Sequence, residues 1–193
     1  MKKYVYGRIE RLYNSLVEHG VSDDIIKEIV DGGEGIKETT KPDKKAEWFQ
    51  YAMIRMDRLL PEKERLAIRE NCACCLGGKR LQLSKQIAKE YESLEDRIAA
   101  ANKTGYVFGN GIKQEVDGTL TVSFFQDDLP QYQCVCLRKA REPISETYCY
   151  CCGGHIKHHL QIALGCKLSC KVISSALSSS GKKNCKFSYI IVE

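Results

Sequence analysis

Apolar side chains recur at helical spacing through the first hundred residues. Val5, Ile9, Leu12 and Leu16 follow one another every three or four positions, with charged residues between them, and Gly20 ends this predicted helix. Acidic residues in a first turn, and a proline at the first position, are typical of helix N-termini and indicate where further helices begin. The same spacing predicts a second helix after Ser22, a third with its stripe at 49–60, a fourth opened by Pro61 and a long fifth at 79–101.

Beyond residue 105 the period of the pattern changes from 3.6 to 2, which predicts strands. A helix that begins near Ile156 and closes at Gly165 interrupts them. The fold class expected is α+β, with an N-terminal helical half packed on a C-terminal antiparallel sheet crossed by one helix. We divide the chain into a helical region, 1–104, and a sheet region, 105–193, joined in one unit. The predicted strands lie at 119–125, 133–137, 166–172 and 187–192.

Charge and hydropathy exclude several classes of protein. The 30 basic and 25 acidic residues are spread along the 193-residue chain without a block of like charge, so nucleic acid is not an expected partner. No apolar run approaches the roughly 20 residues that span a bilayer, and the charged start at 1–6 is not a signal peptide. We therefore expect a cytoplasmic protein without a membrane partner.

Eleven cysteines are the most unusual feature of the composition. In a reducing compartment they are expected to be thiols, metal ligands or catalytic groups. Two segments, 72–80 and 148–155, each combine three cysteines with a glycine pair, and the second adds His155. We interpret the two segments as parts of one site built from both halves of the chain.

Spacing predicts a metal site from these segments. Cys72 with Cys75, and Cys149 with Cys152, have the turn spacing that brings two sulfurs within reach of one tetrahedral ion. A glycine pair follows each of them and is interpreted as a place where the chain curls. The four would hold zinc, and an iron–sulfur cluster takes the same ligands. Further candidates are Cys134 and Cys136 on a predicted strand, and a mixed site of Cys151 or Cys152 with His155. The alternative is that several of these thiols are small apolar core residues.

Two other features indicate chemistry. Lys79 and Arg80 open a helix after a glycine pair, where backbone N–H groups and positive charge can bind a carboxylate or phosphate. The motifs of serine hydrolases, P-loop nucleotide enzymes and zinc proteases are absent from the sequence. A cysteine nucleophile with His155 as its base therefore remains as the enzymatic alternative.

The C-terminal fifty residues resemble the closing segment of the 4-vinyl reductase domain family. The resemblance rests on Tyr150, the glycine pair at 153–154, the helix to Gly165 and the ending Gly-x3-Cys-x-Phe at 181–187. It implies a small α+β domain that binds small hydrophobic molecules, often as a sensor, sometimes with a structural zinc. Cys149 or Cys151, and Cys185, occupy places comparable to the family's metal ligands, although 174–177 departs from its pattern. Uncharacterised bacterial cysteine-rich proteins show a looser likeness.

These observations lead to one main hypothesis and one alternative. The main one is a cytosolic, sensor-like protein that binds a small hydrophobic or anionic molecule and carries a cysteine-ligated structural metal. Its pocket would lie between the final helix and the sheet, with Lys79 and Arg80 as anion contacts. The alternative is a thiol- or metal-dependent hydrolase or redox enzyme that uses the same cysteines. The expected apolar walls are Phe124, Phe125, Phe187 and Tyr189.

Overall fold

The computed structural model describes residues 3–104 and 107–192, and over these the predicted α+β class is confirmed. Helices fill the N-terminal half and an antiparallel sheet lies toward the C-terminus. Gly105, predicted just after a helix, lies outside the described residues. The helices are α1 Gly7–Glu18, α2 Asp23–Ile29, α3 Pro42–Leu59, α4 Glu62–Asn71, α5 Gly78–Glu90, α6 Leu94–Asn102 and α7 Tyr150–Leu164. The strands are β1 Ile112–Gln114, β2 Leu120–Ser123, β3 Lys167–Ser174 and β4 Lys186–Val192.

The four strands form one sheet in the order β1-β2-β4-β3, and every neighbouring pair is antiparallel. Phe187 of β4 lies opposite Val122 of β2 and Val172 of β3, and all three side chains are buried. Alternation along β3 buries Leu168 and Val172 and exposes Lys167, Ser169 and Lys171, as the period-2 pattern predicts.

Helix α7 crosses the sheet, and two glycines allow its close approach. A Cβ on Gly153 would lie 2.6 Å from the Cys170 sulfur, and one on Gly154 would lie 2.4 Å from the backbone oxygen of Glu70 in α4. Only a hydrogen atom fits at these two positions. The glycines therefore allow α7 to pack closely against the sheet on one side and against α4 on the other. The Tyr189 hydroxyl donates a hydrogen bond to the Gly153 carbonyl at 3.0 Å. The glycine pair, interpreted from the sequence as a place where the chain curls, is instead inside a helix.

One continuous cluster of buried apolar residues joins the helices to the sheet. Phe49 of α3 packs edge-on against Tyr148, just before α7, with ring centroids 5.1 Å apart. Leu12 and Leu16 of α1 are fully buried in the same cluster. Val5, counted with that stripe in the sequence, lies before α1 and is 70% exposed.

Two predicted elements are wrong in detail. The long helix over 79–101 is broken at Tyr91, whose backbone is extended, and Ser93 then caps α6 by accepting from the Asp96 N–H at 3.1 Å. The segment 133–137, predicted as a strand, is a loop. Two of its backbone groups bond to side chains and not to a neighbouring strand. The Cys136 carbonyl accepts from Arg8 at 2.8 Å, and the Leu137 N–H donates to the Cys134 sulfur at 3.4 Å.

None of the helices in the described part of the chain is long and apolar enough to cross a membrane. All eleven cysteines lie within the described residues, and all are free thiols.

Candidate functional site

A cavity of about 380 Å³ lies where the N-terminus of α7, the loop after α4 and the loop at 134–139 meet. We call it the cysteine cavity because five thiols line it. Cations and apolar side chains complete its wall. The lining residues are Arg8, Cys74, Cys75, Arg80, Val107, Gly109, Phe124, Val135, Cys136, Cys151, Cys152, His155 and Ile156.

Three of the thiols form a close group at the start of α7. The sulfurs of Cys136 and Cys152 lie 3.5 Å apart, so a hydrogen bond joins loop and helix. Cys151 and Cys152 are the second and third residues of the 15-residue helix. The positive end of a helix dipole favours thiolates in its first turn. Cys136 and Cys152 therefore form a hydrogen-bonded pair of thiols beside Cys151, whose ionised form is favoured.

A buried arginine supplies the charge that this group needs. Arg69 of α4 is 2% exposed, and its guanidinium donates to the Tyr148 carbonyl at 3.2 Å and lies over the Tyr148 ring. Its Nε is buried and has no hydrogen-bond partner within residues 3–104 and 107–192. Over the same ranges, its guanidinium forms no ion pair with a carboxylate. Because a buried cation is costly without an anion, a thiolate is the expected counter-charge.

The pKa values of the thiols follow from these contacts. A hydrogen bond from Cys152, helped by the charges of Arg69 and Arg8, lowers the pKa of Cys151 to about 6 despite its burial. The same Cys152 contact lowers the pKa of Cys136, whereas its bonds to both partners raise the pKa of Cys152 itself. Burial raises the pKa of Cys74 to about 11. These contacts therefore favour the thiolate form at Cys151 and the protonated thiol at Cys152.

Two histidines of α7 hold the first cysteine segment against the second. The ring of His155 bonds to the Cys74 carbonyl at 2.7 Å, and that of His159 bonds to the Cys75 carbonyl at 3.1 Å. Because a carbonyl only accepts, the ring nitrogen in each bond carries the proton. Burial lowers the pKa of both histidines, that of His155 to about 4, so both are neutral near pH 7.

Comparison with known proteins assigns this architecture to a family. The profile of DUF6144, a family of unknown function, matches residues 5–193. The chain belongs to DUF6144. No curated protein matches it. The resemblance of the C-terminal residues to 4-vinyl reductase domains stays a prediction for this DUF6144 protein.

Half of the site residues predicted from the sequence lie on the cysteine cavity. They come from both cysteine segments, so the structure brings parts of 72–75 and 149–152 together. Cys72 lies behind the cavity, where its thiol donates to the Ile68 carbonyl at 3.2 Å and lines a space of about 20 Å³ shared with Cys74, Cys136 and Cys151. The predicted residues on the main cavity are Cys75, Arg80, Phe124, Cys136, Cys151, Cys152 and His155.

Three other cysteines lie apart from the cavity, in the core of this DUF6144 protein. The Cys149 sulfur is 2.9 Å from the Ser175 hydroxyl, and that of Cys185 accepts from the Ala176 N–H at 3.3 Å. Cys134 is buried nearby, and burial raises its pKa to about 12. The sequence predicts a turn between Cys149 and Cys152, but α7 begins at Tyr150, so helix and not a turn joins them. Their sulfurs lie among different neighbours.

The remaining predicted residues lie around the cavity or in the core. Lys79 is exposed on the first turn of α5. Phe187 is buried under Phe124, with ring centroids 5.2 Å apart, and Tyr189 is buried under Gly153. Phe125 packs beside Tyr132 at 6.0 Å. Of these rings, that of Phe187 supports the wall that Phe124 presents.

Whether these residues hold a single metal ion depends on how their side chains are arranged. Among the described residues, no group of three or more Cys, His, Asp or Glu side chains is arranged to hold a metal ion. In this structure the thiols bond to each other, to carbonyls and to Ser175. Zinc and iron–sulfur binding by the DUF6144 chain therefore stay predictions.

Sequence reasoning missed Arg8 and Arg69, the cations of the thiol group. Both lie inside helices, where arginine is usually a solvated side chain. One signal was present for Arg69: it follows the buried Ile68 and precedes Cys72 by three residues, which places it on the helix side that carries the cysteine. No comparable signal marks Arg8.

Proposed function

We propose that this protein binds a small molecule in the cysteine cavity and reduces or exchanges a disulfide bond in it. The observation that carries the proposal is the 3.5 Å separation of the Cys136 and Cys152 sulfurs on the cavity wall. A disulfide bond is about 2.05 Å long, so a movement of roughly 1.5 Å would join them. The chemistry is that of the thiol-dependent redox enzyme considered from the sequence, in a reducing compartment such as the cytoplasm.

The environment of Cys151 suits it to start the reaction. Arg69 and Arg8 favour its thiolate, the nucleophilic form of cysteine. The thiolate would attack one sulfur of the substrate, form a mixed disulfide and expel the other substrate sulfur as a thiolate, which takes a proton. Val107, Phe124, Val135 and Ile156 provide an apolar wall for the rest of the molecule.

The neighbouring thiols complete the exchange. Cys136, on losing its proton, attacks the Cys151 sulfur and releases the second half of the substrate as a thiolate, which takes that proton. Cys152 then attacks the Cys136 sulfur, which restores the Cys151 thiolate and leaves a Cys136–Cys152 disulfide. Overall the two protein thiols lose two electrons and two protons, and the substrate gains them as its S–S bond breaks into two thiols.

A single-turnover assay tests this function. Reduced protein is mixed at pH 7 with a small aromatic disulfide whose released thiol is coloured, and the oxidised product is mapped by mass spectrometry. We expect a Cys136–Cys152 bond in the wild type and a release rate about two- to threefold lower for Cys151→Ser. At pH 7 the ionised fraction of an ordinary thiol is roughly thirtyfold lower than that of a thiol of pKa 6. The greater intrinsic nucleophilicity of the ordinary thiolate offsets roughly tenfold of this difference.

Cys149→Ser is the matched control because Cys149 lies one turn away, buried against Ser175. It is expected to react like the wild type. Equal rates for wild type and Cys151→Ser, or an oxidised product without the Cys136–Cys152 bond, would contradict the proposal.

A second candidate function is binding alone, with a cysteine-ligated metal, as the sequence predicts. The five thiols on one cavity favour it, because soft metals and iron–sulfur clusters take thiolate ligands. This candidate requires protein purified without oxygen to contain about one equivalent of zinc or of an iron–sulfur cluster. Elemental analysis with a visible spectrum measures it. Loss of the metal in Cys75→Ser but not in Cys149→Ser would place the metal in the cavity, whereas metal-free protein favours the thiol reaction.

A further inference from the structure

A second concave surface adjoins the cysteine cavity and carries an excess of positive charge. It encloses about 600 Å³ between the start of α1, the start of α3 and the loop at 134–139. We call it the basic groove. Five cations and one carboxylate line it, together with Tyr6 and a few apolar residues. The charged residues are Arg8, Arg11, Lys45, Arg138, Lys139 and Glu38.

The charge of these five cations is not balanced by paired carboxylates in the part of the chain that the structure describes. Across residues 3–104 and 107–192, none of them forms an ion pair with a carboxylate. Lys45 donates to the Glu38 carbonyl at 2.6 Å and lies 4.7 Å from the centre of the Tyr6 ring. Arg141, close to the groove in sequence, is by contrast paired with Asp43 at 3.0 Å. The groove therefore brings together five cations that have no carboxylate partner among the described residues.

The groove and the cysteine cavity share a wall. Arg8, Val135 and Cys136 line both. Arg8 also holds that wall in place, because its guanidinium donates to the Cys136 carbonyl at 2.8 Å. A molecule with its charged part in the groove can thus reach Cys136 and Cys152 with its other end.

We propose that the basic groove binds the phosphate-bearing part of the substrate, a small molecule with two or more phosphate groups whose other end carries the sulfur that reacts. This inference rests on the proposed thiol function. Each phosphate carries a charge of about −1.5 to −2, so two of them match an excess of four positive charges. Arginine side chains bind phosphate oxygens with two parallel N–H bonds, which favours phosphate over a diffuse anion. The volume suits a small molecule.

Titration calorimetry with inorganic pyrophosphate tests the groove by itself. We expect saturable binding to the wild type and about tenfold weaker binding to the double variant Arg138→Gln/Lys139→Gln, because two charged contacts are lost. Both side chains are exposed, so the substitutions are not expected to disturb folding. Lys182→Gln/Lys183→Gln, another exposed pair of the same charge, is the control and should bind like the wild type.

The outcomes separate this inference from the proposed function. Absent pyrophosphate binding, or equal weakening by both double variants, would overturn the groove proposal while leaving the single-turnover thiol reaction intact. Conversely, binding that persists in a protein without the Cys136–Cys152 reaction would leave a phosphate site and remove the thiol function. Much tighter binding of a single-stranded oligonucleotide, weakened by Arg138→Gln/Lys139→Gln, would identify a nucleic-acid surface and overturn the small-molecule assignment.

Discussion

Gly154→Val is expected to destabilise the protein by about 3 kcal/mol. A Cβ at this position would lie 2.4 Å from the backbone oxygen of Glu70, a separation that real side chains do not reach. Backbone cannot rotate away as a side chain can, so α7 would have to move from α4. The free energy of unfolding from urea denaturation measures the loss. Because α7 carries Cys151 and Cys152, the displacement should also separate the thiol group and slow its reaction.

Gly7→Ala provides the control for this substitution. Gly7 is the first residue of α1, and a Cβ there would have no atom within 4 Å outside its immediate neighbours. Its stability should stay within about 0.5 kcal/mol of the wild type. A Gly154→Val protein as stable as Gly7→Ala would show that α7 and α4 do not pack as described.

Arg69→Met is expected to cost about 3 kcal/mol and to raise the pKa of Cys151. Methionine fills the space of the buried stem but leaves the thiolate without its nearest cation. The alkylation rate of Cys151 as a function of pH measures the pKa, with the modified residue identified by mass spectrometry. If the pKa of Cys151 rises by about one unit, its thiolate fraction near pH 6 falls by several-fold.

The stability of Arg69→Met should also depend less on pH. In the wild type the folded pKa of Cys151, about 6, lies below the ordinary value of 9. The thiolate therefore stabilises the fold fully above pH 9, and this contribution disappears as the pH falls through 6. Arg69→Met should lose part of the rise in stability between these limits. Arg55→Met, at an exposed pair with Asp31, is the control and should keep that rise. An unchanged Cys151 pKa in Arg69→Met would contradict the arginine–thiolate pair.

Local patterns in the sequence were sufficient for most of the fold. The stripe of Phe49, Met53 and Met56 is buried in α3, and Gly165 ends α7 with a positive φ of 72°. Helix spacing and a left-handed glycine are decided within a few residues, so a single sequence contains them. The break at Tyr91 could have been predicted, because Ser93 and Asp96 form a helix cap. The loop at 133–137 could not, since it depends on Arg8, more than a hundred residues earlier.

The candidate site was only partly predictable for a similar reason. Cysteine spacing indicated which segments matter, but not which sulfurs in each segment face the cavity. That choice follows from where α7 begins: with Tyr150 as its first residue, Cys151 and Cys152 point toward Arg69 and Cys136, and Cys149 toward Ser175. The sequence suggests that the chain curls at the glycine pair 153–154. Its role in packing α7 on α4 depends on a long-range contact with Glu70. Sequence spacing alone does not contain it.

The distribution of the cavity thiols along the chain has a consequence for biosynthesis. Cys75 and Cys136 are separated by roughly sixty residues. At typical translation rates, about 3 to 12 s pass between their emergence from the ribosome. The nascent chain therefore presents its early thiols without the groups that later surround them. The thiol group at the start of α7 can assemble only after that helix has been made, so premature oxidation in the growing polypeptide would join the wrong partners.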